Sequence, residues 1–107
     1  MGFLPEWMRS KKIIDVRLNI KPDSISQGPT CYACHRQTVK AGVDYTVGEN
    51  IIVRARRAPG YRCKHDRLEY LATETLREFY VRAQKVFENK GEMGSARTMI
   101  SALASLE

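Results

Sequence analysis

The pattern of apolar and polar positions changes its period about two thirds of the way along the chain. In residues 13–21 apolar and polar side chains alternate, which is typical of a half-buried strand that ends at Pro22. Three further segments have strand-like patterns: residues 38–40, 43–47 and 51–58. From Leu68 onward, apolar residues recur at helical spacing. The pattern predicts an α+β fold, with a small antiparallel sheet followed by two C-terminal helices.

The two predicted helices have recognisable ends. The first spans about 73–89 and stops at Gly91, because glycine readily adopts the left-handed conformation that ends a helix. Thr75 and Glu78 have the spacing of a capping box, and Thr73 is a competing N-cap. A second helix is expected to begin at Ser95. Its predicted apolar face carries Ala96, Met99, Ile100 and Leu103.

Three cysteines form a split constellation in the sheet region. Cys31 and Cys34 have the Cys-x-x-Cys spacing with which two thiolates converge on one tetrahedral metal. Cys63 follows the predicted strand at residues 51–58 and opens a second turn that also contains His65 and Asp66. A disulfide scaffold would usually have an even and larger set of cysteines. The spacing therefore favours a zinc site with reduced thiols in a cytoplasmic protein.

The fourth zinc ligand is open among three residues. His65 is favoured because imidazole suits zinc better than carboxylate does when the other ligands are thiolates. Asp66 is the second choice and His35 the third, since His35 directly follows a cysteine. A redox role for the Cys-x-x-Cys pair is disfavoured, because such motifs usually open a helix after a strand.

The chain length and these segments predict three parts. Residues 1–12 form an N-terminal arm, residues 13–67 the zinc-binding β domain, and residues 68–107 a helical segment packed on it. A chain of 107 residues fits one small domain, in which a structural metal can supply a large share of the stability. No membrane span or signal peptide is expected. The final Leu106-Glu107 resembles a cloning remnant and receives no functional weight.

The positive charge of the chain indicates an anionic partner. Its net charge is +6, from 18 Lys and Arg against 12 Asp and Glu. The basic residues beside the second cysteine turn are candidates for partner or nucleic-acid binding: Arg54, Arg56, Arg57, Arg62, Lys64 and Arg67. Such a cluster attracts a phosphate backbone or an acidic protein face. The alternative is an ordinary solvated sheet face.

Several motifs together resemble the YgiT-type zinc finger, the zinc-binding domain of MqsA-like antitoxins. These are the run CYACHRQ, Tyr45, Gly48, the strand IIVRARRAPGYRC and the continuation RLEYLATETL. The resemblance covers about residues 30–80. It implies a zinc-ribbon-like sheet, bound zinc and a toxin-like protein partner.

Two departures from the family pattern change what the resemblance implies. The position of the last family cysteine is occupied by Asp66, which leaves His65 or Asp66 to complete the site. Full-length antitoxins of this kind carry a helix-turn-helix domain after the finger, whereas only two helices are predicted here. The resemblance therefore implies binding to a protein partner more than binding to an operator.

The sequence as a whole predicts a small, non-enzymatic zinc protein that acts by binding a macromolecule. A nucleic-acid-binding transcriptional regulator is the first alternative. A zinc-dependent nuclease or a thiol oxidoreductase ranks lower, because no nucleophile triad, phosphate loop or carboxylate pair is found. The apolar stripe of the first helix is wider than one sheet face needs, so a homodimer through the helices is a further expectation.

Overall fold

The chain forms a four-stranded sheet followed by two helices, in a computed structural model that describes residues 11–106. The strands are β1 (Lys12–Asp15), β2 (Val39–Val47), β3 (Ile51–Arg62) and β4 (Glu69–Leu71). The helices are α1 (Thr73–Asn89) and α2 (Met93–Ser105), and a short 3-10 helix spans Pro22–Ser24. The α+β class is as predicted from the sequence. Most of the predicted arm at 1–12 lies outside the described residues.

Strand β3 is the centre of the sheet. β2 runs antiparallel along one of its edges, from the pair Val39 and Arg62 to the pair Val47 and Val53. β1 pairs in parallel with the first part of β3, and β4 pairs antiparallel with its last part. Because β2 occupies one edge, β1 and β4 must share the other. The prediction of a purely antiparallel sheet is wrong, since alternation reports which residues are buried and not the direction of the neighbouring strand.

The strand ends differ from those expected from the alternating pattern. β1 stops at Asp15, although the alternation continues to residue 21. Beyond it, the Glu78 carboxylate of α1 accepts the backbone N–H groups of Asn19 and Ile20 at 2.6 and 2.9 Å. These bonds draw the segment 16–21 from the sheet toward the helix. β4, in turn, lies in a stretch that was expected to lead directly into the first helix.

Strand β3 passes through Pro59 and Gly60, where the sequence pattern predicted its end. The Thr75 hydroxyl donates a hydrogen bond to the Pro59 carbonyl at 2.6 Å. This carbonyl therefore has its partner in α1 and not in a neighbouring strand. Thr75 is therefore a buried link between helix and sheet and not a helix cap. Its predicted place in a capping box is wrong.

A bulge interrupts the pairing of β2 and β3. Val43 pairs with Ala58 and Tyr45 with Ala55, so two arginines of β3 lie opposite Asp44 alone. The second of them, Arg57, has φ 52°, a conformation that residues other than glycine rarely adopt. The Asp44 carboxylate accepts the Arg57 backbone N–H at 2.8 Å and holds this conformation.

The main core lies between the sheet and the two helices. Its fully buried residues are Val53, Ala55, Ala58, Phe79, Ala83, Phe87, Ala96 and Met99. A smaller cluster of Ile25, Tyr61 and Ala72 lies nearer the end of β3. Neither helix of the described part of the chain is both long and apolar enough to cross a membrane.

Helix α1 has the bounds that the sequence predicts, and its end follows from glycine geometry. Gly91 has φ 76°, and the N–H groups of Gly91 and Glu92 donate to the carbonyls of Glu88 and Phe87 at 3.1 and 2.8 Å. This is the Schellman arrangement. Helix α2 begins at Met93, two residues before the predicted cap.

Candidate metal centre

Two turns of nearly identical geometry build the site. In the first, Cys31 donates its N–H to the Arg36 carbonyl, and its own carbonyl accepts the His35 N–H, both at 2.8 Å. In the second, Cys63 donates to the Leu68 carbonyl at 2.9 Å and accepts from the Arg67 N–H at 2.8 Å.

The backbone conformations of the two turns match as well. His35 and Arg67 occupy equivalent places and have φ of 60° and 59°. A bridge between Thr30 and Gln37 closes the base of the first turn, and the pairing of β3 with β4 closes the second. Each turn therefore presents residues at its first and fourth positions on the same side.

The four side chains at these positions converge. The ligand atoms of Cys31, Cys34, Cys63 and Asp66 all lie within 4.8 Å of one another. The sulfurs of Cys34 and Cys63 are 3.5 Å apart, and Oδ2 of Asp66 lies 3.4 Å from the Cys31 sulfur and 3.9 Å from the Cys63 sulfur. The three cysteines are free thiols.

These spacings and this donor set fit a tetrahedral zinc ion. Bonds of about 2.3 Å to sulfur and 2.0–2.2 Å to a carboxylate oxygen put tetrahedral ligands roughly 3.5–3.8 Å apart. The distances from the Cys34 sulfur to the Cys63 sulfur, 3.5 Å, and from the Cys31 sulfur to Asp66, 3.4 Å, are close to these values, and that from the Cys63 sulfur to Asp66, 3.9 Å, is slightly longer. Thiolates favour soft or borderline ions, so the set fits zinc better than magnesium or calcium.

The structure places Asp66, and not His65, in the group of four. The His65 ring is on the outer side of the second turn, with its side chain 53% exposed and Nε2 4.0 Å from the Asp66 carboxylate. His35 is exposed in the first turn, at the position of positive φ. The repeated spacing, Cys-x-x-Cys and then Cys-x-x-Asp, is the sequence signal that indicates Asp66.

Tyr70 is a contact of the site that the sequence did not suggest. Its hydroxyl donates to the Cys31 sulfur at 3.6 Å and accepts the Tyr32 N–H at 3.4 Å. The Tyr32 ring packs edge-on against the Tyr70 ring and is otherwise exposed. Tyr70 thus links β4 to the first turn and orients one of the sulfurs.

The protonation of the group depends on burial and on hydrogen bonds. Burial opposes ionisation of the Cys31 thiol, but the N–H groups of Cys34 and Ala33 and the Tyr70 hydroxyl lower its pKa below the ordinary value. Burial, with the nearby Asp66 carboxylate, raises the pKa of Cys34 to about 12. Hydrogen bonding from the Cys34 thiol lowers the pKa of Asp66. A bound cation would favour the ionised form of all four ligands.

The predicted basic cluster divides into three groups. Arg54 and Arg62 are engaged in ion pairs, with Asp15 at 2.6 Å and with Glu69 at 2.6 Å. Arg56 and Arg57 lie at the bulge of β3 and line a groove. The remaining two, Lys64 and Arg67, are exposed on the second turn.

The fold and site together define a small α+β protein with a three-cysteine, one-aspartate group that can hold a metal ion. Comparison of the chain with protein-family models, curated proteins and solved structures finds no match.

Proposed function

We propose that this chain is a zinc-stabilised, non-enzymatic binding protein. The observation that carries this proposal is the convergence of Cys31, Cys34, Cys63 and Asp66 from two equivalent turns. Four protein ligands close a tetrahedral coordination sphere, which is typical of structural sites, whereas catalytic zinc sites keep a position open for water. Cys31 and Cys63 are also fully buried, which leaves little room for a substrate.

The role of zinc in this proposal is to hold the two turns together. Twenty-eight residues, 35–62, lie between Cys34 of the first turn and Cys63 of the second. The smaller cluster of Ile25, Tyr61 and Ala72 lies nearest to the two turns, whereas the main core lies at the helices. Zinc would therefore fix the end of the sheet that hydrophobic packing supports least.

The partner in this proposal is a protein, as the resemblance to antitoxin zinc fingers implies. Arg56, Arg57, Lys64 and Arg67 form no ion pair within residues 11–106. Their positive charge favours an acidic partner. A homodimer through the helices stays a prediction, and the exposed apolar residues Val81, Met93 and Ile100 would belong to it.

The proposal is tested by the metal content of the purified chain and its Cys63→Ser variant. Mass spectrometry of the metal should give about one zinc per chain, and the variant should lose zinc and have a lower melting temperature, because structural zinc contributes folding free energy directly. Lys64→Ser is the control, since this exposed side chain lies in the same turn and contributes no ligand atom. A zinc-free chain whose melting temperature is unchanged by a chelator would refute the proposal.

A nucleic-acid-binding role is the second candidate. The observation in its favour is Tyr32, whose exposed fraction is 73%. Tyr32 lies in the first turn with Arg36, and the second turn carries Lys64 and Arg67. An exposed aromatic ring among cations can stack on a base of single-stranded nucleic acid. Affinity for single-stranded DNA that falls steeply with salt and requires Tyr32 would support this role.

A further inference from the structure

A groove of about 470 Å³ lies beside the central strand, away from the metal ligands. One wall is the segment that leaves β1, and the other is the middle of β3. The groove thus occupies the place where the alternating pattern predicted that β1 would continue and β1 instead ends. A difference of this kind between local sequence and structure is often found at a functional site.

The groove runs along a stretch of β3 that has no paired strand on this side. β1 pairs with β3 only up to Arg54, and β4 pairs with it only from Gly60. Among the described strands, none lies beside Ala55–Pro59 on this edge. Within this stretch Ala55, Ala58 and Pro59 are buried, and the exposed residues are Arg56 and Arg57. The Pro59 carbonyl accepts from Thr75 and the Arg57 N–H donates to Asp44, so the exposed edge is short and centred on Arg56.

The bulge in β3 directs two consecutive arginines to this groove. Successive side chains of a regular strand point to opposite faces. Here Arg56 and Arg57 both line the groove, and the left-handed conformation of Arg57 is what permits it. Arg17, from the opposite wall, adds a third guanidinium.

The groove carries a net positive charge. Arg17, Arg56 and Arg57 are all exposed, and none of them forms an ion pair within residues 11–106. Its one carboxylate, Asp15, already accepts two hydrogen bonds from Arg54, at 2.6 and 3.1 Å. Arg56 also lowers the pKa of Asp15 through its charge, but no carboxylate of residues 11–106 lies at ion-pair distance from any of the three guanidinium groups. They can therefore bind an external anion.

We propose that this groove binds an extended acidic segment of a partner protein. The inference rests on the proposed binding function and names the surface and the chemistry of the partner. The short unpaired edge at Arg56 can pair with the backbone of an extended peptide. The apolar side chains of Val16, Ala58 and Pro59 accommodate an apolar residue of the peptide. The arginines form bidentate hydrogen bonds with carboxylates at alternate positions of the peptide.

A nucleic acid fits these features less well. Its phosphates would use the arginines, but its backbone has no N–H and C=O groups to pair with a strand edge. The apolar wall would also be left without a matching group on a phosphodiester chain. The protein partner accounts for all three features of the groove.

The test is a binding measurement on the zinc-loaded full chain with a defined probe. The probe is a fluorescent, end-blocked hexapeptide of alternating Asp and Val, followed by anisotropy. We expect saturable binding that the double variant Arg56→Glu, Arg57→Glu weakens at least tenfold. Arg17→Glu, outside the strained bulge, should also weaken it. Arg97→Glu is the matched control, because Arg97 is an exposed residue of α2 outside the groove, and it should leave the affinity unchanged.

The other outcomes separate this inference from the metal proposal. Equal binding of a Lys-Val hexapeptide, or an equal loss with Arg97→Glu, would overturn the groove as an acidic-peptide site. So would tighter, arginine-dependent binding of a 20-nucleotide poly-dT strand, which would make the partner a nucleic acid. Full zinc content without peptide binding refutes the groove alone. Peptide binding by a chain that holds no zinc refutes the metal proposal and supports the groove.

Discussion

At the scale of single residues, the aspartate is the most distinctive member of the candidate metal group. Asp66 occupies in the second turn the place that Cys34 occupies in the first. A carboxylate binds zinc less strongly than a thiolate does when the other ligands are sulfurs. Its side chain is also 27% exposed, so water reaches this corner of the site. The site should release zinc more readily than a four-cysteine site would.

Substitutions at Asp66 and His65 test the ligand assignment. Asp66→Ala should weaken zinc affinity by roughly tenfold or more, because it opens the coordination sphere to water. Asp66→Cys should strengthen it. His65→Ala should change it little, since the ring lies outside the ligand group. Competition with a chromophoric chelator measures all three, and a larger loss for His65→Ala would restore the imidazole assignment.

The strained arginine in the bulge gives a second prediction at this scale. Arg57 has φ 52°, so Arg57→Gly should stabilise the fold by up to about 1 kcal/mol, since glycine accepts this conformation without strain. Arg56→Gly is the control and should not stabilise, because Arg56 is absent from the residues of positive φ. Denaturant unfolding of the two zinc-loaded variants and the wild type gives their free energies of unfolding. Destabilisation by Arg57→Gly would mean that the Arg57 side chain contributes more stability than its backbone strain removes.

At the scale of elements, α1 covers the sheet and also affects where strands β1 and β3 end. Glu78 holds the backbone of Asn19 and Ile20, and Thr75 holds the carbonyl of Pro59. The first contact ends β1 early, and the second stabilises β3 beyond its predicted end. Both contacts join residues far apart along the chain. This is why the bounds of α1, which depend on local spacing and Gly91, were predictable from sequence, while those of β1 and β3 were not.

Glu78→Gln should loosen the segment 16–21 and destabilise the fold by roughly 1–2 kcal/mol at neutral pH. Burial opposes ionisation of Glu78, but the N–H groups of Asn19 and Ile20, with Arg82, outweigh it and hold its pKa below the ordinary 4.5. Its contribution is therefore complete above about pH 4.5 and is lost as the pH falls through the folded-state value.

The measurement is the difference in unfolding free energy between wild type and variant across pH. The difference should shrink below pH 4.5, the ordinary pKa of this carboxyl. Glu88→Gln, an exposed change on the same helix, should show no such pH dependence. A difference that stays constant into acid would mean that the Glu78 charge does not hold the segment.

At the scale of the whole molecule, we expect stability to depend on both ends of the sheet. The apolar core joins β3 to both helices, and the candidate metal group lies between the two turns at the far end of β3. Sequence spacing identified the three cysteines and placed Asp66 among the candidate ligands, because turn geometry is local. It did not indicate Tyr70 or Arg17, whose places depend on β4 and on the departure of residues 16–21 from the sheet.

Removal of zinc should therefore loosen one end first. With a chelator, amide hydrogen exchange should accelerate in residues 30–37 and 63–71, while Ala83 and Phe87 of α1 stay protected by the apolar core. Mass-spectrometric exchange on the native and chelated chain resolves these segments. Uniform loss of protection across the chain would mean that the core does not persist without the metal.

X-ray absorption at the zinc edge tests the central claim, the coordination by three cysteines and one aspartate, most directly. We expect three sulfur neighbours at about 2.3 Å and one oxygen at 2.0–2.2 Å, without the outer-shell scattering of an imidazole ring. Imidazole scattering would mean that a histidine, and not Asp66, is the fourth ligand. A shell of only nitrogen and oxygen, or a purified chain with no zinc, would contradict the account.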